Sequence, residues 1–139
     1  MSAERVGPSG TVVGVDFQRI RPLDAEIAER VETVRGDMTD EATVASLREA
    51  LGVEADADDA ADHAGARPVD VVVSDMAPNM TGEYSLDHAR SVHLARQAVG
   101  VAADLLAGGG DLVVKVFDGP DMEDLRADMD AEFQYVRTI

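Results

Sequence analysis

The sequence contains no cysteine among its 139 residues, which excludes disulfides and thiolate metal sites. Basic side chains are scarce: 12 Lys and Arg face 28 Asp and Glu, for a formal net charge of −16. Lysine is scarcer still, because Lys115 is the only one and every other basic residue is arginine. No apolar run reaches the roughly 20 residues needed to cross a bilayer. The opening stretch MSAERVGPSG has no apolar h-region of the kind a secretory signal needs. The phosphate-binding pattern G-x-G-x-x-G is missing, which counts against a nicotinamide-dependent oxidoreductase. His63, His88 and His93 do not fall at metal-site spacings, and His88 and His93 lie on different faces of any helix that contains both. These absences lead us to expect one cytoplasmic domain over residues 1–139, with no membrane segment, no metal and no obligate protein partner.

The surplus of acid also needs a reading. A charge of −16 taken alone argues against nucleic acid, since phosphate contacts usually need a basic face. The acid is dispersed along the chain, however, as it is in proteins kept soluble in strong salt. At molar salt the screening length is about 3 Å, so long-range repulsion of RNA largely disappears. A salt-loving source is therefore expected, and RNA is retained as a partner.

Five β-branched runs read as strands: Thr11–Val15, Val31–Val34, Val69–Val73, Asp111–Val116 and Phe133–Ile139. Continuous Val-rich runs predict strands buried on both faces, hence a mostly parallel sheet with helices outside. Helical patterns lie between them at Thr39–Leu51, Leu86–Leu106 and Met122–Glu132. Thr39 is placed as an N-cap, and Gly108-Gly109-Gly110 as the stop of the long helix. The alternation predicts a doubly wound α/β fold. Residues 52–67, rich in Ala and Asp, read as a solvated acidic insertion.

Ligands of open α/β sheets bind beyond the carboxyl ends of the strands. Those ends carry Asp16, Asp37, Asp75 and Lys115. Asp16 has the place of an acid that accepts from ribose hydroxyls, or it caps the following loop. Asp37, after Gly36, suits an acceptor for an adenine amine with Met38 against the ring, or a helix cap. Lys115 sits inside Leu112-Val113-Val114-Lys115-Val116-Phe117. A lysine there is expected to be buried and paired, with a pKa that burial lowers, or else to snorkel to water. Asp75 opens a loop shaped by Pro78 and Gly82, well placed for catalytic contacts on a rigid scaffold.

The run Ser74-Asp75-Met76-Ala77-Pro78-Asn79-Met80-Thr81-Gly82 and the run Gly109-Gly110-Asp111-Leu112-Val113-Val114-Lys115-Val116-Phe117 strongly resemble the FtsJ type of ribosomal RNA 2′-O-methyltransferase. Val15-Asp16 and Gly36-Asp37 match that family's cofactor acids in type and order. The resemblance covers nearly the whole chain from Val6 onward. It implies a Rossmann-like, S-adenosylmethionine-dependent methyltransferase fold. The implied reaction is methyl transfer to a ribose 2′-hydroxyl, of a uridine in large-subunit ribosomal RNA, with the large ribosomal subunit as partner. It assigns Asp75 and Lys115 to a Lys-Asp-Lys-Glu tetrad, and Asp16, Asp37 and Asp75 to the cofactor. The tetrad's first lysine, its glutamate and the glycine-rich cofactor loop have no match within residues 1–139. The fold is thus expected to be incomplete and this chain alone inactive. The alternatives are a non-catalytic nucleotide- or cofactor-binding module of the same fold, and methylation of transfer-RNA ribose by the same chemistry.

Overall fold

The computed structural model describes residues 2–53 and 68–139. Internal contacts divide the chain into two units, Met1–His63 and Ala64–Ile139. The acidic stretch lies, from residue 54 to 67, outside the described residues.

The first unit is built on a parallel strand pair. After α1 (Ser2–Arg5) come β1 (Val12–Asp16), the short α2 (Ala25–Ala28), β2 (Val31–Arg35) and α3 (Glu41–Ala50). β1 and β2 run from Val12 opposite Val31 to Asp16 opposite Arg35. The Gly36 amide continues the ladder by donating to the Asp16 carbonyl at 3.0 Å. β-Branched residues fill both strands because their stiff side chains suit a pleated surface. α3 packs against the pair through Thr43 and Leu47, one helical turn apart and both buried. That close approach explains Gly36: a Cβ there would meet the Thr43 Oγ1 at 2.2 Å. α3 starts at Glu41, later than Thr39, whose hydroxyl is instead bound to Asp37. It ends in a Schellman motif, with the Gly52 amide on the Glu49 carbonyl and the Val53 amide on the Arg48 carbonyl. Gly52 adopts a φ of 71° to make that turn, a conformation in which glycine carries no Cβ penalty.

The second unit repeats the scheme with longer parts: β3 (Val69–Ser74), α4 (Tyr84–Leu105), β4 (Leu106–Val114) and α5 (Met122–Glu132). β3 and β4 are parallel, with Val71 opposite Asp111 and Ser74 opposite Val114. Val69 pairs with Leu106, so the ladder is irregular between Val69 and Val71. The glycine triplet is the cause. It does not stop α4; it lies inside β4, where Gly109 takes a φ of 83°. A Cβ on Gly110 would stand 3.0 Å from the Asp70 carbonyl. The helix ends because Leu106 turns extended at once.

The core of this unit joins Val92 and Ala95 of α4 to Leu125 of α5, with Val114, Val116 and Met129 packed around them. Two expectations are corrected here. β3 and β4 are not buried on both faces: Val71, Val73 and Val113 share an exposed face, Val73 at 69 %, while Val114 packs into the core. A Val-rich run fits two-faced burial but cannot require it. Phe133–Ile139 is not a strand. A strand exists only through a ladder, and no described strand pairs with this segment. Its Val136 carbonyl accepts from the Arg126 guanidinium instead. Among the described residues, no helix is long and apolar enough to cross a membrane.

Candidate active site

In the first unit the pairing of β1 with β2 brings two acids to one sheet edge. Asp16 closes β1 and is exposed. Its Oδ1 accepts from the Gln18 amide at 2.8 Å, which fixes the turn after the strand. Asp37 follows the Gly36 that is bonded to Asp16. Its Oδ1 accepts from the Thr39 amide at 2.9 Å and the Thr39 hydroxyl at 2.7 Å. Those bonds, the amide first, hold the exposed Asp37 carboxyl below the usual carboxylate range. A hollow of about 240 Å³ is lined by Gln18, Arg19, Ile20, Pro22, Thr33, Val34 and Arg35.

In the second unit β3 and β4 end side by side, and the ladder carries on through the Lys115 amide to the Ser74 carbonyl at 2.9 Å. The next residue on one side is Asp75 and on the other is Lys115 itself. Their side chains meet, with Lys115 Nζ 2.9 Å from Asp75 Oδ1. Lys115 is paired as expected, but it is not buried: its side chain is 62 % exposed and that of Asp75 is 72 % exposed. The arrangement can aim a hydrogen-bond donor and a compact positive charge, with a carboxylate fixing the direction.

The loop after Asp75 is tied down by Asp87, a buried residue of α4. Its Oδ1 accepts from the Thr81 amide and hydroxyl, each at 2.8 Å, and its Oδ2 from the Gly82 amide at 3.1 Å. The Thr81 amide first lowers the Asp87 carboxyl, against the opposing effect of burial; the Thr81 hydroxyl, the Gly82 amide and Arg90 add to the lowering. Gly82 has a φ of 85°, which glycine adopts freely.

The profile of the FtsJ-like methyltransferases matches residues 1–139, the entire chain. The chain belongs to the FtsJ-like methyltransferase family. Its α/β architecture, with parallel strands flanked by helices, is that fold. It is similar to the "Ribosomal RNA large subunit methyltransferase E" of three halophilic archaea. It is 58 % identical to that of Haloquadratum walsbyi over 139 residues, all of this chain and 48 % of the relative. It is 60 % identical to that of Natronomonas pharaonis over 136 residues, 98 % of this chain and 46 % of the relative. It is 60 % identical to that of Halorubrum lacusprofundi over 139 residues, 100 % of this chain and 46 % of the relative. The chain thus spans about half the length of the curated relatives it matches.

For this FtsJ-like chain, the structure brings Asp16 together with Asp37 on one edge, and Asp75 together with Lys115 on another. Each pair lies within one unit. Sequence reasoning misses the buried polar face of α4, namely Asp87, His88 and Ser91. A signal is present, since these polar residues occupy the buried helical positions that lead into Val92 and Ala95. In the sequence His88 stands out only as a metal ligand at the wrong spacing. Its ring is engaged by residues 117–121 instead, with Nδ1 2.9 Å from the Phe117 carbonyl and Nε2 3.1 Å from the Asp121 amide and 3.3 Å from the Asp121 carboxylate.

Proposed function

We propose that this chain serves the transfer of a methyl group from S-adenosylmethionine to a ribose 2′-hydroxyl, that of a uridine, in large-subunit ribosomal RNA. The observation that carries the reading is the Asp75–Lys115 ion pair at the ends of adjacent parallel strands, in a chain of FtsJ-like methyltransferase sequence. Relatives named for large-subunit ribosomal RNA support the substrate class.

The donor set fits the cofactor. Asp16 and Asp37 present exposed carboxylates on one edge, suited to ribose hydroxyls and an adenine amine. S-adenosylmethionine, when bound, supplies an electrophilic methyl group on a sulfonium. The 2′-hydroxyl is a weak nucleophile and must be aimed. Lys115 donates an N–H to the 2′-oxygen and orients a lone pair toward the methyl carbon; as the O–C bond forms the S–C bond breaks, the sulfur leaves as a neutral thioether, and the hydroxyl proton passes to solvent water. Asp75 keeps the ammonium in place and offers a negative charge to the cationic end of the cofactor. Correct placement of two reactants is worth up to roughly 7–11 kcal/mol in favourable cases. The reaction belongs in the cytoplasm, with the ribosomal subunit or its RNA as partner and no obligate protein partner.

Lys115→Ala in the full-length protein tests the assignment. Transfer of tritiated methyl should be lost while the Kd for S-adenosylmethionine stays close to wild type. Retained turnover would remove Lys115 from the reaction.

A further inference from the structure

Two adjacent residues of α4 grip two different loops. Asp87 binds Thr81 and Gly82 in the loop that begins at Asp75. His88 binds the segment that follows Lys115. Its Nε2 lies 3.1 Å from the Asp121 amide and 3.3 Å from the Asp121 carboxylate; with Nε2 accepting from that amide, Nδ1 carries a proton and donates it to the Phe117 carbonyl. One turn later, Ser91 Oγ accepts from the Phe117 amide at 2.8 Å. Tyr84 stacks on the His88 ring at 6.4 Å between centroids and donates its hydroxyl to the Asp118 carbonyl. Gly119 lies so close that a Cβ there would stand 2.4 Å from His88 Nδ1. The imidazole is 1 % exposed, and residues 117–121 are folded around it. Lys115 is therefore fixed from two sides: by the Ser74 carbonyl at its own amide, and two residues on by the grip of His88 and Ser91 on Phe117.

We propose that His88 is a positioning residue that keeps Lys115 on Asp75. The imidazole suits this task because one rigid ring supplies a donor and an acceptor on opposite edges, and so spans the loop from Phe117 to Asp121. A side chain without those two groups leaves a carbonyl and an amide unpaired in a buried place, and the loop must move to rehydrate them. The catalytic consequence rests on the methyl-transfer reading; the placement of Lys115 does not.

The experiment uses the full-length protein labelled with 13C-lysine, the Lys115 Cε signal being assigned by its loss in Lys115→Arg. Asp75→Asn gives the position of that signal without the ion pair. His88→Phe should move the signal most of the way to that position, and His88→Gln, which keeps a donor and an acceptor, should leave it near wild type. Gly119→Ala, which pushes the loop off the ring, should act like His88→Phe and decides the matter if His88→Phe does not fold. In methyl transfer, His88→Phe should lower kcat by roughly 10- to 100-fold, as for a small misplacement of a reacting group, with KM for S-adenosylmethionine unchanged. A Lys115 signal that stays at its wild-type position in both variants, while the Phe117–Asp121 amides shift, would overturn the proposal. If wild type transfers no methyl group, the functional reading fails, and the lysine signal still judges the role of His88.

Discussion

Asp16 and Asp37 are the residues whose proposed roles separate binding from chemistry. Each offers a carboxylate for charge-assisted hydrogen bonds, worth about 1.5–3 kcal/mol apiece. Asp16→Ala and Asp37→Ala should each weaken S-adenosylmethionine binding by roughly 10- to 100-fold in calorimetry of the full-length protein. Unchanged affinity in both would refute the assignment. Asp87 makes a separate prediction about pH. Its folded carboxyl lies below the ordinary value of 3.8. The stabilisation it gives is complete above that value and is lost as pH falls through the lower folded one. The melting temperature of wild type should therefore drop, as pH falls below 3.8, more steeply than that of Asp87→Asn. Parallel acid limbs would show that the Thr81 and Gly82 bonds contribute nothing. At this scale the sequence tells much about Asp75 and Lys115, since strand ends and loop chemistry locate both. It cannot show Lys115's exposure, because burial depends on what the described elements leave uncovered. It hides His88, because a histidine in a helix gives no sign of which backbone groups will need it.

Among the elements, β1, β2 and β3 are legible to within a residue, since β-branched runs bounded by Gly, Asp or Ser leave little choice of state. α5 runs from Met122 to Glu132, as its apolar spacing requires. Where sequence and structure part, a distant partner overrules a local signal. Glycines that look like a helix stop form the irregular entry of β4, because Gly110 must pass close to Asp70. Residues 133–139 have strand composition but no described strand to pair with. The packing of α4 on α5 rests on Leu125, 2 % exposed against Val92 and Ala95. Leu125→Ala should cost about 2–5 kcal/mol, as large-to-small changes in cores do. Denaturant unfolding that gives less than about 1 kcal/mol would mean that the contact is not a core contact.

For the whole molecule, charge is the decisive property. A net −16 on 139 residues repels itself until ions screen it, and screening contracts to about 3 Å at molar salt. Circular dichroism melts should rise markedly from dilute buffer to molar potassium chloride, and equal stability in both would contradict the salt-loving reading. The same screening would let so acidic a surface approach the proposed RNA substrate. Alkaline hydrolysis reads the destination of the methyl group directly, because a methylated 2′-oxygen cannot attack the adjacent 3′-phosphate. Full-length protein incubated with tritiated S-adenosylmethionine and large ribosomal subunits in molar salt should place the label in alkali-resistant dinucleotides, and Lys115→Ala should place none. Label released as mononucleotides carrying a methylated base, or equal labelling by Lys115→Ala, would contradict the claim.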